Sequence, residues 1–244
     1  MKGVILAAGV GTRLAPLTLN CPKPLLAIGG RLLLDYTIDA FVQAELRELV
    51  LVLGYKGEMI QRYVEDGSRY GAQVKYVFNP DYHLGNASSV HAVQKVVREE
   101  PFILSMADHM ISHQILKLLL TSQVEHNVLC VDRQALAPPQ LNDATKAWVN
   151  ENGLVTRIGK GIRNWNAIDT GVFRFSSAIF TAISQLTPSR IKGHGISDAV
   201  TRLIKMGYRI HACDVSGFFW MDIDTSDDLH YVESIHVGAR LVTR

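Results

Sequence analysis

Short apolar runs alternate with segments of helical periodicity along the first hundred residues. The run Gly3–Ala8 is apolar and bounded by glycines, and Glu48–Leu53 is a similar run that ends at Gly54; such runs are typical of buried parallel strands. Between them, Leu34–Ala44 has apolar residues at helical spacing, so the three segments predict a βαβ unit. The pattern continues with predicted helices at Glu58–Asp66 and Ser88–Val97 and predicted strands at Gln73–Phe78 and Phe102–Met106.

The alternation changes after Asp108, where short strand patterns follow one another. The pair Asn152-Gly153 between two of them indicates a hairpin. We therefore expect one domain over residues 1–244, an α/β fold with a three-layer, Rossmann-like, mixed but mainly parallel sheet and helices on both faces. The stretch Pro138-Pro139 and the segment Thr187–Gly195 are predicted as mobile loops. The other predicted elements are helices near Gln114–Ser122, Ala178–Gln185 and Ile196–Lys205 and strands around Val128–Asp132, Ala147–Asn150, Val155–Ile158, Val172–Phe175 and Arg209–Asp214.

Composition narrows the classes of partner. The chain has 244 residues, 48% of them hydrophobic, which is enough for one substantial core. Its 25 Lys and Arg against 23 Asp and Glu give a net charge of +2, so neither nucleic acid nor an anionic membrane is expected as a partner. Cys21, Cys130 and Cys213 form no CxxC pair, which favours a reduced, cytoplasmic setting. The N-terminal apolar run is too short for a membrane span, and we expect no signal peptide or anchor.

A glycine-rich loop follows the first predicted strand. Gly9 and Gly11 allow a sharp turn that presents backbone N–H groups to an anion such as a triphosphate. Arg13 is a bidentate phosphate donor, and Lys23, between two prolines, is a second cation. Taken alone, the loop also fits an ordinary turn and the cations fit solvated surface charges. Leu14 occupies the place of the third glycine of a dinucleotide-binding fingerprint, which disfavours an oxidoreductase, and no P-loop pattern follows.

The combination of LAAGxGTRL with Lys23 in PKPL resembles the signature of the sugar-phosphate nucleotidyltransferases. The resemblance implies metal-dependent transfer of a nucleoside monophosphate from a triphosphate to a phosphorylated sugar or polyol. It also implies a nucleotide-binding half over residues 1–108 and an acceptor-binding half over 109–244, with Arg13 and Lys23 as catalytic residues that neutralise charge on the α-phosphate. The nucleotide contacts implied here are Leu6, Ala7, Ala8, Gly9, Gly11, Thr12, Arg13 and Lys23.

Aspartates at predicted strand ends are the candidates for a metal. Asp108 follows a buried strand, and Asp222 and Asp224 alternate in WMDIDT; carboxylates are the protein ligands that Mg²⁺ prefers. The resemblance implies Asp108 and Asp222 as ligands, with Asp108 also at the nucleotide, and leaves Asp224 as a ligand, a supporting group or a helix cap. Strand alternation predicts that His109 points away from Asp108, and either a structural role or one near the phosphates is open for it.

Two further groups are candidates for the base and the acceptor. Gly85, Asn86 and Ser88 precede a predicted helix, where small polar residues are either caps or, as the resemblance implies, contacts to the nucleobase. Lys146 and Lys160 are either surface charges or a clamp for the acceptor phosphate. Asp169-Thr170-Gly171 resembles an acceptor-contacting segment of the family.

Several stretches are similar to the cytidylyltransferase domain that activates inositol 1-phosphate with CTP, among them SMADH, DATK and WMDIDT. This likeness implies CTP as the donor, inositol 1-phosphate as the acceptor and Mg²⁺ as the cofactor, with pyrophosphate as a product. Such domains often precede a membrane domain; none follows before Arg244, so a stand-alone enzyme is expected, and a homodimer is left open. The alternatives are a hexose-1-phosphate uridylyl-, thymidylyl- or guanylyltransferase and a phosphocholine-type cytidylyltransferase. A non-catalytic nucleotide sensor is disfavoured because the carboxylates and Lys23 are present.

Overall fold

The computed structural model describes residues 1–122, 127–135, 141, 143–186 and 193–235, and all statements below refer to these residues. Pro138-Pro139 and most of Thr187–Gly195, both predicted as mobile loops, lie outside them. The strands are β1 (Lys2–Ala7), β2 (Ala27–Ile28), β3 (Arg31–Leu32), β4 (Glu48–Leu53), β5 (Gln73–Phe78), β6 (Phe102–Met106), β7 (His109–Ile111), β8 (Asn127–Asp132), β9 (Lys146–Val149), β10 (Val155–Gly159), β11 (Ala167–Phe175), β12 (Ile210–Asp214) and β13 (Trp220–Asp222). The helices are α1 (Leu33–Gln43), α2 (Gly57–Val64), α3 (Asn86–Ala92), α4 (Gln94–Val97), α5 (His113–Thr121), α6 (Ala178–Ser184), α7 (Ile196–Lys205) and α8 (Ser226–Ser234).

The main sheet is mixed: β1, β4, β5 and β6 form its parallel half, and the other half combines antiparallel pairs with the parallel pair of β8 and β12. Its central path runs β10-β9-β11-β6-β1-β4-β5, while β8 pairs with β11 and β12 pairs with β8. Strand β1 is parallel to β4 and β6, and β4 is parallel to β5. Strand β11 is antiparallel to β6, β8 and β9. The predicted mixed, mainly parallel sheet is therefore confirmed, including the change of pattern after Asp108.

Helices cover both faces of this sheet, which explains why the central strands are apolar throughout. Val4 and Leu6 of β1 pack in one core cluster with residues of α3, α4, α6 and α7. Ile5 and Ala7 of the same strand pack in a second cluster with residues of α1, α2 and α5. Because successive strand residues point to opposite faces, a strand buried on both sides needs an unbroken apolar run.

An irregularity in β11 and a small second sheet shape the carboxyl edge of the main sheet. The register of β11 against β8 shifts between Asp169 and Phe173, and Gly171 has φ +74 within the shift. Strands β7 and β13 form a separate antiparallel pair in which Asp222 lies opposite His109. The indole Nε1 of Trp220 in β13 donates to Asp132 at 2.8 Å, which ties the small sheet to the end of β8.

Three short strands, β2, β3 and β7, were not predicted, because two or three residues carry no readable periodicity. The predicted helix Ser88–Val97 is two helices, α3 and α4, that meet at Val93. Among the described residues, no helix is both long and apolar enough to cross a membrane.

Candidate active site

The glycine-rich loop leaves β1 at Ala7 and packs on Lys23. Gly11 has φ +69, and a Cβ added there would lie 2.9 Å from Cβ of Lys23 and 3.1 Å from Cγ2 of Thr18. The hydroxyl of Thr18 donates to the Gly11 carbonyl at 3.0 Å. Gly9 is different, because it is exposed and a Cβ there would meet nothing within 4 Å. The packing of the protein itself therefore requires a glycine at 11 but places no steric demand on position 9.

Lys23 is the buried cation of the site. Its residue is only 5% exposed, and its Nζ donates to Asp108 Oδ2 at 2.7 Å and to Asp224 Oδ1 at 2.6 Å. Burial by itself lowers the pKa of Lys23, but the charges of Asp108, Asp222 and Asp224 outweigh it and raise the pKa above its usual value. Lys23 is therefore positively charged at neutral pH. The aspartates offset the cost of burying its ammonium group, which would be unstable without paired charges.

A row of alternating charges runs across the opening of the cleft. Arg13 pairs with Asp224 and donates from Nη1 to Asp143 Oδ2 at 2.8 Å, and the same oxygen accepts from Lys160 Nζ at 2.6 Å. Burial raises the pKa of Asp224, but Lys23 and Arg13 more than compensate and hold it at about 2. Asp143 thus connects Arg13, predicted to contact the nucleotide, with Lys160, predicted to contact the acceptor. This role was not predicted, because Asp143 and Arg13 are far apart in the sequence.

Asp108, His109 and Asp222 form a second cluster, beside the lysine. The His109 Nε2 atom lies 3.8 Å from Asp108 Oδ1 and 3.6 Å from Asp222 Oδ1, and the three candidate ligand atoms all lie within 4.8 Å of one another. Asp108 Oδ1 and Asp222 Oδ1 are both buried and have no hydrogen-bond partner. Burial raises the pKa of Asp222. Two buried carboxylate oxygens without a hydrogen bond are costly, and a divalent cation would satisfy both, so these residues fit a metal site.

The position of His109 corrects the prediction that its ring points away from Asp108. Ala107 and Asp108 form a turn between β6 and β7, so the alternation of an extended strand does not apply there. The His109 Nδ1 atom lies 3.2 Å from the Thr170 carbonyl oxygen. A Cβ on Gly171 would overlap Cε1 and Nδ1 of the ring. Burial lowers the pKa of His109, but Asp222 and Asp108 together raise it to about 9.

Asp224 adjoins this cluster but is not one of its three candidate ligands. Strand β13 ends at Asp222, so the predicted alternation does not continue to Asp224, which pairs with Lys23 and Arg13 instead. It is also not the helix cap, because the Thr225 side chain caps α8 and accepts from the Asp228 N–H at 3.3 Å. Asp228 in turn accepts from the Asp224 N–H at 2.9 Å, which fixes the backbone that carries the Asp224 carboxylate.

The loop glycines, the charged residues of the row and the three candidate metal ligands line one cleft of about 690 Å³ at the carboxyl ends of β1 and β6. Acidic residues predominate there: among the described lining residues, seven aspartates stand against three Lys and Arg. A polyanion such as a triphosphate would therefore be repelled unless cations accompanied it. The predicted site residues that line the cleft are Leu6, Ala7, Gly9, Gly11, Thr12, Arg13, Lys23, Asn86, Asp108, Lys160, Asp169, Gly171, Asp222 and Asp224.

Five predicted site residues are not among those lining the cleft, Ala8, Gly85, Ser88, Lys146 and Thr170. The Thr170 side chain is fully buried and donates to the Cys130 carbonyl at 3.1 Å. The Lys146 ammonium lies 6.0 Å from the centre of the Trp165 ring. The Ala8 carbonyl accepts from the Tyr55 N–H at 3.0 Å.

The turn before α3 is also explained by packing. Gly85 has φ +109, and a Cβ there would overlap the backbone of His194. The Ser88 hydroxyl is within hydrogen-bonding distance of the carbonyl oxygens of Asp81 (2.9 Å) and Gly85 (2.8 Å), and Ser88 lines a different cavity. Of the three predicted base contacts, only Asn86 lines the cleft.

Comparison with known proteins identifies relatives that match nearly the whole of this chain. The chain is 31% identical over 234 residues to the low-salt glycan biosynthesis nucleotidyltransferase Agl11 of Haloferax volcanii, covering 94% of this chain and 64% of Agl11. It is 30% identical over 238 residues to a bifunctional IPC transferase and DIPP synthase of Rubrobacter xylanophilus, covering 96% of this chain and 51% of the relative. The chain therefore spans about half to two thirds of the length of these relatives.

A solved structure, the inositol-1-phosphate CTP transferase from T. maritima, superposes with a TM-score of 0.85 at 26% identity over 99% of this chain and 96% of that chain. This likeness confirms the predicted α/β fold. The nucleotidyl transferase family model matches residues 2–236. The chain therefore belongs to the nucleotidyl transferase family.

Proposed function

We propose that the protein transfers CMP from CTP to a small phosphorylated polyol, inositol 1-phosphate, and releases pyrophosphate. One observation carries the general reaction: the glycine-rich loop, the buried Lys23 and two carboxylates with unpaired oxygens, Asp108 and Asp222, all face one cleft. The choice of CTP and inositol 1-phosphate is supported by the motifs SMADH, DATK and WMDIDT and by the likeness to the T. maritima enzyme. The spacing of the cysteines supports a cytoplasmic setting.

Different residues of the cleft are assigned to the metal ion, the phosphates and the base of the bound triphosphate. We assign Asp108 and Asp222 to a divalent cation, Mg²⁺, which when bound would hold triphosphate oxygens and disperse their charge. The backbone N–H groups after β1 would receive the phosphates, since Gly9 leaves that surface open. Asn86 is the proposed contact to the base.

Catalysis then depends on position and charge. An acceptor phosphate is largely ionised near pH 7 and needs no general base to attack the α-phosphorus as the bond to pyrophosphate breaks. Lys23 and Arg13 stabilise the negative charge that develops on the α-phosphate. Lys160 binds the same Asp143 oxygen as Arg13 and lines the cleft, where it would bind the acceptor phosphate. In this proposal Asp224 orients Lys23 and Arg13 and is not a ligand of the metal.

The proposal is tested by pyrophosphate release from CTP, UTP, dTTP and GTP, each offered with inositol 1-phosphate, glucose 1-phosphate, mannose 1-phosphate or phosphocholine. We expect CTP with inositol 1-phosphate to give the largest kcat/KM, with the product identified by its mass. Release with a hexose 1-phosphate and UTP, dTTP or GTP would instead support a hexose-1-phosphate nucleotidyltransferase, and release with CTP and phosphocholine would support a phosphocholine-type cytidylyltransferase. No release with any pair, from folded protein with Mg²⁺, would overturn the transferase proposal.

A further inference from the structure

Three potential ligand atoms converge where the proposed metal site has been assigned only two. The Nε2 atom of His109 faces Oδ1 of Asp108 and Oδ1 of Asp222 at 3.8 and 3.6 Å. Ligand atoms about 2.1 Å from one octahedral ion are separated by about 3.0 Å when adjacent and about 4.2 Å when opposite. The observed separations fall between these values, so a single ion could touch all three atoms after small side-chain movements.

The imidazole is oriented as metal-binding histidines are. Its Nδ1 atom lies 3.2 Å from the Thr170 carbonyl oxygen, which can only accept a hydrogen bond, so Nδ1 carries a proton. In the neutral ring the lone pair is then on Nε2, which faces the two carboxylates. A backbone carbonyl that fixes the other ring nitrogen in this way is the usual partner of a metal-ligating histidine.

Hydrogen bonding among the three side chains does not account for their arrangement. The separations of 3.6 and 3.8 Å are too long for a hydrogen bond, whereas a charge-assisted bond from an imidazolium to a carboxylate would be about 2.7–2.9 Å. Both carboxylate oxygens remain buried and unpartnered. The other oxygen of Asp108 is occupied by Lys23, so Asp108 has one oxygen for the ammonium and one directed to the cluster.

The ring is also held firmly in place. The Thr37 hydroxyl donates to the His109 carbonyl at 2.9 Å, and β7 pairs His109 directly with Asp222 of β13. Gly171 leaves room for the ring where any other residue would fill it. The cost of ordering this side chain is therefore met by folding, before any ion binds.

We infer that His109 is the third protein ligand of the divalent cation, through Nε2, together with Asp108 and Asp222. The inference rests on the proposed function for the existence of the metal site and adds to it a nitrogen ligand. Imidazole favours transition metals over Mg²⁺, for which oxygen ligands are preferred. The site therefore binds Mn²⁺, Co²⁺ or Zn²⁺ more tightly than Mg²⁺, by a margin that depends on His109.

The test uses Co²⁺ and the full chain without nucleotide. Calorimetry gives the affinities for Co²⁺ and Mg²⁺, and proton NMR detects the paramagnetically shifted, exchangeable Nδ1–H of a ligating imidazole. We expect one such resonance in the wild type and its loss in His109→Asn. We also expect that variant to bind Co²⁺ at least about tenfold more weakly, with a much smaller change for Mg²⁺. His113→Asn, a histidine outside the cleft, is the matched control and retains both properties.

Absence of the shifted resonance in the Co²⁺-loaded wild type would overturn the inference, and this result does not require any variant to fold. Co²⁺ affinity within twofold of wild type in folded His109→Asn would overturn it as well. Failure of the proposed function is distinguishable, because it would leave His109-dependent Co²⁺ binding intact while no triphosphate released pyrophosphate. Conversely, Mg²⁺-dependent turnover without the shifted Nδ1–H resonance would support the proposed function and refute the inference that His109 is a metal ligand.

Discussion

Replacing Gly171 with alanine tests how the site is built, because this glycine lies directly against the His109 ring. Two separate costs are expected. The backbone at Gly171 has φ +74, a conformation that L-residues rarely adopt, and the new methyl group would overlap Cε1 and Nδ1 of the imidazole. The ring cannot move away freely, since its other side faces Asp108 and Asp222. Gly171→Ala should therefore destabilise the fold and displace His109 together.

A second glycine in the same chain separates the two costs. Gly153 has φ +71, but a Cβ there would meet nothing within 4 Å. Gly153→Ala should cost only the backbone strain, about 1–2 kcal/mol. Gly171→Ala should cost this amount plus about 1–3 kcal/mol for overpacking. The difference between the two variants therefore measures the contact with His109.

The assay is urea unfolding of five proteins: wild type, Gly153→Ala, Gly171→Ala, His109→Ala and the double variant of Gly171 and His109. Removing the imidazole removes the overlap, so Gly171→Ala should cost no more in the His109→Ala background than Gly153→Ala costs in the wild type. The coupling between the two positions should then be about 1–3 kcal/mol. Co²⁺ affinity should fall in Gly171→Ala and remain normal in Gly153→Ala. Coupling below about 0.5 kcal/mol would refute the packing argument.

Three further predictions follow from the cleft. Lys23→Ala should lower the rate of pyrophosphate release at least about a hundredfold; near-normal turnover in folded protein would contradict its catalytic role. Gly9→Ala should weaken nucleotide binding in calorimetry without changing thermal unfolding, whereas Gly11→Ala should lower the unfolding temperature; equal thermal effects would disprove the distinction. Asp143→Ala removes exposed ion pairs and should change the free energy of unfolding by less than about 1 kcal/mol; a larger loss in urea unfolding would show that the charge row supports the fold.

The parallel half of the fold was readable from the sequence because burial on both faces leaves an unambiguous trace. Glu48–Leu53 was predicted with the bounds that β4 has in the structure, and the helix predicted at Leu34–Ala44 differs from α1 by one residue at each end. Strand β7 and its pairing with β13 were not readable, because three residues carry no period and the pairing joins segments about a hundred residues apart. Yet this pairing is what brings His109 and Asp222 together.

The site divides in the same way. The loop with Arg13 and Lys23 is continuous in sequence and could be recognised as one pattern, and Asp108 was found from its place after a strand. Asp143 was noted only as part of DATK, and its contact with Arg13 was not predicted because the two residues lie 130 positions apart. His109 was misplaced because the alternation rule was applied across a turn. A histidine directly after a strand-end carboxylate is a signal that would have found it, had the turn at Ala107 been foreseen.

The charges of the cleft connect metal binding to nucleotide binding. Lys23 and Arg13 are paired with aspartates, so a triphosphate that binds these cations must compete with the carboxylates. Binding a triphosphate alone would leave those aspartates unpaired in a cleft where acidic residues already outnumber Lys and Arg. A divalent cation bound at Asp108 and Asp222 at the same time would lower the negative charge of the cleft and attract the phosphates. Coulomb interactions at these distances are strong in a partly buried site, so the metal and the triphosphate should each raise the affinity for the other.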